Sequence, residues 1–430
     1  MAKKTNKSDN KKPAFSKLKY HFGLSLVAFP SSDQSLTIKQ NSDASRFYYN
    51  YLVALGRDRW TNIRLWMSLK KNIPYENSEW FDARIREVEA RLQGISDLMY
   101  KPKNIKDRYK WFAKNKRLDS LMPYAAKNNY QAGWNLFHQV PSVGVPTFHK
   151  KSYEQSYQTM WVNNNIRILD RKHAQLPKIG QIRVTKVPDW FLKRHDVKIG
   201  TVTVKVDAVG RTTISFQLGS DFPFKKAMPK TDKVIGIDLN LENFATDSDG
   251  EVTDNPRYYN QQLKQLQAEQ RKLNKRERRA KKEHRPLRLA KNYQKQRVKV
   301  AAIHRHVKNQ RKNFLHHYTT TLIKNHDLVA AEELRSKNMK KNHAINQSIQ
   351  DVGWRMALSQ LEYKAELYGK KFKAVDPRLT TQTCHACGFV MGRKGTRKLT
   401  LRDREWTCPA CHIHHIRDHN AALNILAKAQ

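Results

Sequence analysis

The chain has 430 residues, with 82 Lys and Arg against 38 Asp and Glu, for a formal net charge of +44. That length allows several domains with a sizeable core, and self-repulsion on this scale makes a polyanion the expected partner, nucleic acid before membrane lipid. No apolar run approaches the ~18–20 residues of a spanning helix, no signal peptide is expected, and nine Trp, seventeen Tyr and sixteen Phe argue against a merely disordered basic chain.

Residues 1–14 are polar and basic and read as a flexible tail. From Lys17 to Val27 the apolar residues Leu18, Tyr20, Phe22, Leu24 and Leu26 recur every second position, which predicts a strand. Ser42-Asp43 read as the cap of a helix reaching about Lys71. Further helices are expected near 76–100, 105–117 and 126–138. In the first of these Ile85, Val88, Leu92, Ile95 and Leu98 fall at three- and four-residue steps. Residues 43–140 therefore read as an α-helical domain, with Trp60, Trp66, Trp80, Trp111 and Trp134 expected in its core.

After Val140 the texture shifts to short segments broken by Pro141, Pro146, Pro177 and Pro188. Thr201–Val206, a turn at Gly210 and Thr212–Leu218 predict a hairpin. Residues 15–42 and 141–230 are expected to form one β-barrel that the helical block interrupts. Its Lys150, Lys151 and Arg167 are candidates to track a phosphate backbone.

Lys233–Leu239 is a buried-strand pattern that carries Asp238, and Phe244–Asp247 and the residues beyond Asp249-Gly250 continue as second and third strands. A carboxylate inside an apolar strand is costly unless it is paired or binds a cation. Residues 258–325 predict a helical hairpin turning near His284-Arg285-Pro286. Between Gln261 and Val300 it holds fifteen Lys and Arg against three Glu. Arg271, Lys272, Lys275, Arg276, Arg278 and Arg279 are its candidate nucleic-acid contacts. His326–Glu332 predicts a fourth strand ending in Glu332-Glu333, residues 348–369 an amphipathic helix, and Phe372–Val375 a fifth strand.

All four cysteines lie near the C-terminus. Cys384 and Cys387 form one CxxC pair, and Cys408 and Cys411 a second after a gap of twenty residues. That spacing predicts a zinc ribbon over 384–411, in which two knuckles aim four thiolates at one Zn(II). Clustered thiols suit a reducing cytoplasm. Four sulfurs complete the shell, so His412, His414 and His415 are expected to be surface residues. Seven residues past Cys411, Asp418 opens a helix-forming run through Leu426.

Three acids thus stand at comparable places: Asp238 in a first strand, Glu332 at the end of a later one, and Asp418 at the start of the last helix. Three strands followed by helix, strand, helix, strand, helix is the order of an RNase H-like α/β fold, so 231–383 and 412–430 are expected to form one such domain. Its converging carboxylates would hold two Mg(II) about 3.5–4 Å apart, activating a water and stabilising a leaving 3′ oxygen. Strand alternation lets only one of Glu332 and Glu333 serve.

Several of these stretches resemble a known family. Gly236–Ala245 (GIDLNLENFA), Glu332–Met339 (EELRSKNM), Thr381–Gly388 with Cys408–Cys411, and Arg417–Ala422 (RDHNAA) resemble the first and second RuvC motifs, the zinc finger and the third RuvC motif of TnpB. TnpB proteins are transposon-encoded RuvC-like nucleases similar to type V CRISPR effectors. Tyr153–Thr159 and Leu176–Gly180 resemble family segments less specifically. One departure is Ile416, where the family commonly carries another Asp.

The resemblance implies a multidomain α+β chain: an RNase H-like (RuvC) nuclease domain with a zinc ribbon, and an N-terminal β-barrel interrupted by an α-helical recognition domain. It assigns catalysis and Mg(II) binding to Asp238, Glu332 and Asp418, and Zn(II) to Cys384, Cys387, Cys408 and Cys411. The implied partners are a guide RNA from the transposon end, one protein per guide, and a double-stranded DNA target beside a short adjacent motif. The implied setting is the prokaryotic cytoplasm, associated with the nucleoid. Alternatives are a nuclease-inactive RNA-guided DNA binder and a DNA transposase.

Overall fold

A computed structural model describes residues 15–72, 78–100, 103–333, 353–393 and 395–430. The expected tail, residues 334–339 of the second motif and the start of the 348–369 helix lie outside them. The chain divides after Phe222 into two compact units. The boundary precedes the expected one at 230 because 223–232 is tied to the second unit: Met228 N–H donates to Tyr368 O, and Thr231 and Asp232 N–H donate to the Asp327 carboxylate.

The first unit is a seven-stranded antiparallel sheet with a helical insertion. Its strands are β1 (Tyr20–Phe29), β2 (Gln155–Met160), β3 (Arg167–Ile168), β4 (His173–Leu176), β5 (Gly180–Val184), β6 (Lys198–Val206) and β7 (Thr212–Ser220), in the order β2-β6-β7-β1-β5-β4-β3. β2 and β3 are its two edges. Period-two burial builds its core: Leu24 and Leu26 of β1, Val202 and Val204 of β6, and Ile214, Phe216 and Leu218 of β7 all point inward. Gly210, with φ +92, closes the β6–β7 hairpin.

Between β1 and β2 lie α1 (Ser32–Asn72), α2 (Ser78–Tyr100), α3 (Lys103–Arg108), α4 (Lys110–Lys114) and α5 (Met122–Gln139). A short α6 (Asp189–Leu192) precedes β6. The helical block thus starts at Ser32, not at Ser42-Asp43, and residues 32–42 do not extend the β domain. The reason is a capping box. Ser31 Oγ accepts from Gln34 N–H at 3.2 Å, and Gln34 Oε1 accepts from Ser31 N–H at 3.0 Å. Ser42 is buried mid-helix, where its hydroxyl donates to Ile38 O. The tryptophans also differ from expectation: Trp60, Trp80 and Trp111 are exposed, not core.

The second unit is a five-stranded mixed sheet covered by helices. β8 (Val234–Leu239), β9 (Ala245–Asp247) and β10 (Val252–Thr253) are antiparallel neighbours. β11 (Leu328–Glu332) runs parallel to β8, and β12 (Lys371–Val375) parallel to β11, giving the order β10-β9-β8-β11-β12. α7 (Tyr258–Lys282) and α8 (Lys291–Asn325) form the basic hairpin, closed by Leu266, Leu273 and Val300 on its inner stripe. α9 (Trp354–Tyr368) joins β11 to β12, and α10 (Arg417–Ala429) ends the chain. Among the described residues no helix is long and apolar enough to cross a membrane.

Alternation sorts this sheet's two faces. Ile235, Ile237, Val329 and Ala331 pack with Leu315, Ile323, Trp354 and Leu361 of α8 and α9. Leu328, Ala330 and Val375 pack with Ile425 and Ala429 of α10. Gly236 lets α10 lie directly on β8, because an added Cβ would collide with the Ala422 carbonyl oxygen.

Candidate functional site

Asp238 sits two residues after Gly236, and Glu332 two after Ala330, so period two puts both side chains on the α10 face. They are also level: β8 and β11 pair Ile237 with Ala331, and Asp238 and Glu332 are the next residue on each strand. Asp418 occupies the first turn of α10. The fold therefore gathers the three sequence-predicted acids at one end of one sheet face. Glu333, which alternation sends elsewhere, is exposed, whereas Glu332 is half-buried.

The electrostatics follow from that gathering. Asp238 is buried, and its carboxyl is held well above the usual range by desolvation first and by Glu332 and Asp418 next, with Arg417 opposing. Burial also raises Glu332, while the Thr380 hydroxyl, which donates to its carboxylate, offsets part of that shift. Arg417 Nη2 and Nε donate to Asp418 Oδ1 at 3.1 and 3.2 Å. Asn240 Nδ2 reaches Asp418 Oδ2 at 3.4 Å, and Arg404 Nη1 lies 3.7 Å from it.

The four cysteine sulfurs lie within 4.8 Å of one another. The two knuckles are alike: Cys384 N–H donates to Phe389 O and Gly388 N–H to Cys384 O, as Cys408 N–H does to Ile413 O and His412 N–H to Cys408 O. Such a thiol set fits tetrahedral Zn(II), with two sulfurs buried and none in a disulfide. Burial pushes the Cys384 thiol up to about 12. At Cys408 burial acts the same way and is the largest single influence, but the Cys411 and Ala410 N–H groups together with the Cys387 and Cys411 thiols outweigh it and bring the thiol to about 7. His415 is not the surface residue expected. It is buried against Trp406, with Nε2 3.0 Å from Cys384 Sγ.

Side chains that sequence reasoning missed join the ribbon to the acids. Asn424 Nδ2 donates to Thr380 O and Thr383 O at 2.9 and 2.7 Å, and Asn420 bridges Thr383 O and His385 N–H. Arg417 Nη1 donates to Thr400 O at 3.0 Å. Apart from their spacing of one turn on α10, nothing in the sequence marks the two asparagines, because their partners lie far away along the chain.

The candidate nucleic-acid contacts scatter. Arg271, Lys275 and Arg278 are exposed on α7, Lys272 pairs with Glu269 and Arg279 with Glu283, and Arg276 donates to Asn292 O. In the first unit Lys150 is exposed, Lys151 lies 3.9 Å from Asp43, and Arg167 donates to Gln175.

Comparison with known families gives the class to which this arrangement is similar. Residues 202–343 match the family model described as "Probable transposase" (OrfB_IS605), and residues 354–425 match the "Cas12f1-like, TNB domain". Among individual proteins, one from Streptomyces pristinaespiralis named "Putative RNA-guided DNA endonuclease" is 34% identical, over 53% of this chain and 52% of its own length. The Escherichia coli protein of the same description, InsQ, is 28% identical over 60% of this chain and 63% of its own. The chain thus spans about half to under two thirds of these relatives. A solved Cas12f1–sgRNA–target DNA complex matches over 94% of this chain, at 14% identity and a TM-score of 0.43, too loose to carry any residue across. The family resemblance read from the sequence therefore holds.

Proposed function

We propose that this chain is an RNA-guided DNA endonuclease with a single RuvC-like site. The observation that carries this reading is the buried Asp238 carboxyl, level with Glu332 and facing the helix that bears Asp418. The strand order β10-β9-β8-β11-β12, in which β8, β11 and β12 run parallel, supports an RNase H-like domain. The names borne by the relatives supply the guide RNA and the DNA target.

The acids fit a divalent cation. Their donors are hard oxygens, and a carboxyl this buried stays ionised only against a positive charge. Asp238, Glu332 and Asp418 would hold Mg(II), which when bound stabilises charge on phosphodiester oxygens and lowers the pKa of water. The chain's own contribution is orientation. Thr380 fixes the Glu332 carboxylate, and Arg417 and Asn240 fix that of Asp418. Zn(II) on the four thiolates would brace the ribbon that presents Thr380.

In this reading the seven-stranded sheet is a β-barrel-like scaffold, and the α1–α5 block grips the guide–target heteroduplex. The basic α7–α8 hairpin steers a DNA strand, and the protein works in the bacterial cytoplasm at the nucleoid, one chain per guide. The test is to purify the chain with its flanking locus transcribed and sequence the co-purifying RNA. A matched plasmid library with Mg(II) is then added. Motif-dependent double-strand breaks are expected. A second reading, strand transfer by a transposase, is favoured by the family description over residues 202–343, and joined rather than cut products would establish it.

A further inference from the structure

The first unit holds a cavity of about 650 Å³ between α1, the end of α2 and α5. It lies within the helical block and shares no residue with the acids or the ribbon. Arg59 and Trp60 line it from α1, and Lys127, Tyr130, Gln131 and Trp134 line it from α5. Gly56 makes its floor: an added Cβ there would occupy the place of the Tyr130 hydroxyl. The cavity falls in the size range of small-molecule sites.

Three features narrow the ligand. First, the wall is aromatic and open. Trp60 is 38% exposed, and its ring lies 5.9 Å from that of Trp134 at 39°. Two rings that close leave no room for a third between them, so a planar ligand would stack on an outer face. Second, the Arg59 Nε is buried and finds no acceptor among the described residues. A guanidinium N–H in that state calls for an anionic or carbonyl oxygen. Third, Arg59 and Lys127 line the cavity and no Asp or Glu does, while Gln131 supplies an amide that can both donate and accept.

An aromatic platform, a cation wanting an oxygen and an amide able to read a base edge are the parts of a nucleotide site. We propose that this cavity takes a single unpaired nucleotide of a bound nucleic acid, the base stacked on Trp60 and the phosphate on Arg59. The proposal rests on the nucleic-acid partner of the preceding section but not on cleavage. RNA and DNA strands share this chemistry, so the two are separated by experiment.

The test uses the full-length protein and two single-stranded probes of about twelve nucleotides: an oligouridylate carrying 4-thiouridine and an oligothymidylate carrying 5-iododeoxyuridine. Binding is measured over a range of salt up to about 0.5 M, where phosphate contacts spread over the surface are suppressed. Photoadducts are mapped by mass spectrometry. We expect adducts on Trp60, Tyr130 or Trp134. Trp60→Ala should weaken binding about tenfold, and Trp60→Phe should restore most of it. Arg59→Gln should lower the salt slope by about one. The probe whose binding falls names the strand; a fall for both means the site accepts either sugar. Adducts confined to other peptides, or unchanged affinity in both Trp60→Ala and Arg59→Gln, would overturn the proposal. Should Trp60→Ala misfold, Arg59→Gln and the adduct map decide alone. Plasmid cutting assayed alongside keeps the two readings apart: a chain that binds through Trp60 without cutting retains the pocket and loses the nuclease, and the reverse result does the opposite.

Discussion

The Thr380 hydroxyl donates to the Glu332 carboxylate across 48 positions of sequence. Thr380 is buried, its own carbonyl is held by Asn424 of α10, and its hydroxyl also lies 3.0 Å from Pro377 O. It is thus fixed from both sides and passes that fixity to the acid. Outer contacts of this kind commonly govern activity by about 10–100-fold where a carboxylate holds metal. Thr380→Ala should lower the cleavage rate by about tenfold or more while guide and target affinity stay unchanged. Thr380→Ser, which keeps the hydroxyl, should recover most of the rate. Single-turnover cutting beside binding isotherms separates the two; a rate unchanged in Thr380→Ala would remove Thr380 from this role.

Asp238 gives a pH prediction with a definite sign. Its folded carboxyl is raised above the unfolded value of 3.8 by desolvation, then by Glu332 and Asp418. A raised group contributes stability that is complete below the unfolded value and is lost as pH climbs through the folded one. In magnesium-free buffer Asp238→Asn should therefore melt above the parent at pH 8, by an amount on the order of 1–3 kcal/mol. The gain should shrink towards zero near pH 4. Magnesium should raise the parent's Tm and move the variant's far less. Parallel Tm-against-pH curves for the two proteins would contradict the buried charge.

Much of this site is legible in the order of the amino acids. The two acids in β8 and β11 are legible because a strand's period is two: once Ile235, Ile237, Val329 and Ala331 are assigned to one face, Asp238 and Glu332 must share the other. The CxxC pairs are legible because a metal shell dictates local spacing. Thr380, Asn420 and Asn424 are not, since their partners lie dozens of residues away and only packing brings them together. The true start of α1 is written in Ser31 and Gln34, but Ser42 imitates it: its hydroxyl bonds back into its own helix instead of capping one. The tryptophans mislead for a different reason. Size predicts burial only on average, and a cavity between α1 and α5 leaves Trp60 at its edge.

The ribbon carries a prediction about metal removal. Its thiols converge, and Asn420, Asn424 and Arg417 tie its backbone to α10. Cys408→Ser should abolish the single bound Zn(II), measured by native mass spectrometry. It should also lower hydrogen-exchange protection at 380–385 as well as at 408–416, because the loosened knuckle releases Thr383 and Thr380. Cutting should fall with it. His415→Ala, which removes packing against Trp406 and a contact to Cys384 Sγ but no thiolate, should keep the zinc. Undiminished zinc in Cys408→Ser would refute the four-thiolate site.

Ile416 is the N-cap of α10, yet it is 56% exposed and makes no side-chain capping bond. The sequence resemblance leads one to expect Asp there, and the position explains what that Asp would do. A carboxylate accepts from the free N–H groups of the first turn and meets the positive end of the helix dipole, worth about 1 kcal/mol together. Against it stands Glu405, paired with Ile416 across the β13 (Glu405–Thr407) and β14 (His414–Ile416) ribbon strands. Like charges facing across two strands cost about 0.2–1 kcal/mol. The cap outweighs it. Ile416→Asp should raise the midpoint of thermal unfolding by about 1–3 °C and leave the cleavage rate within about twofold, since Arg417 and Asn240 already orient Asp418. Differential scanning calorimetry decides the first part. A lowered midpoint would mean that strand repulsion, not the missing cap, governs this end of α10.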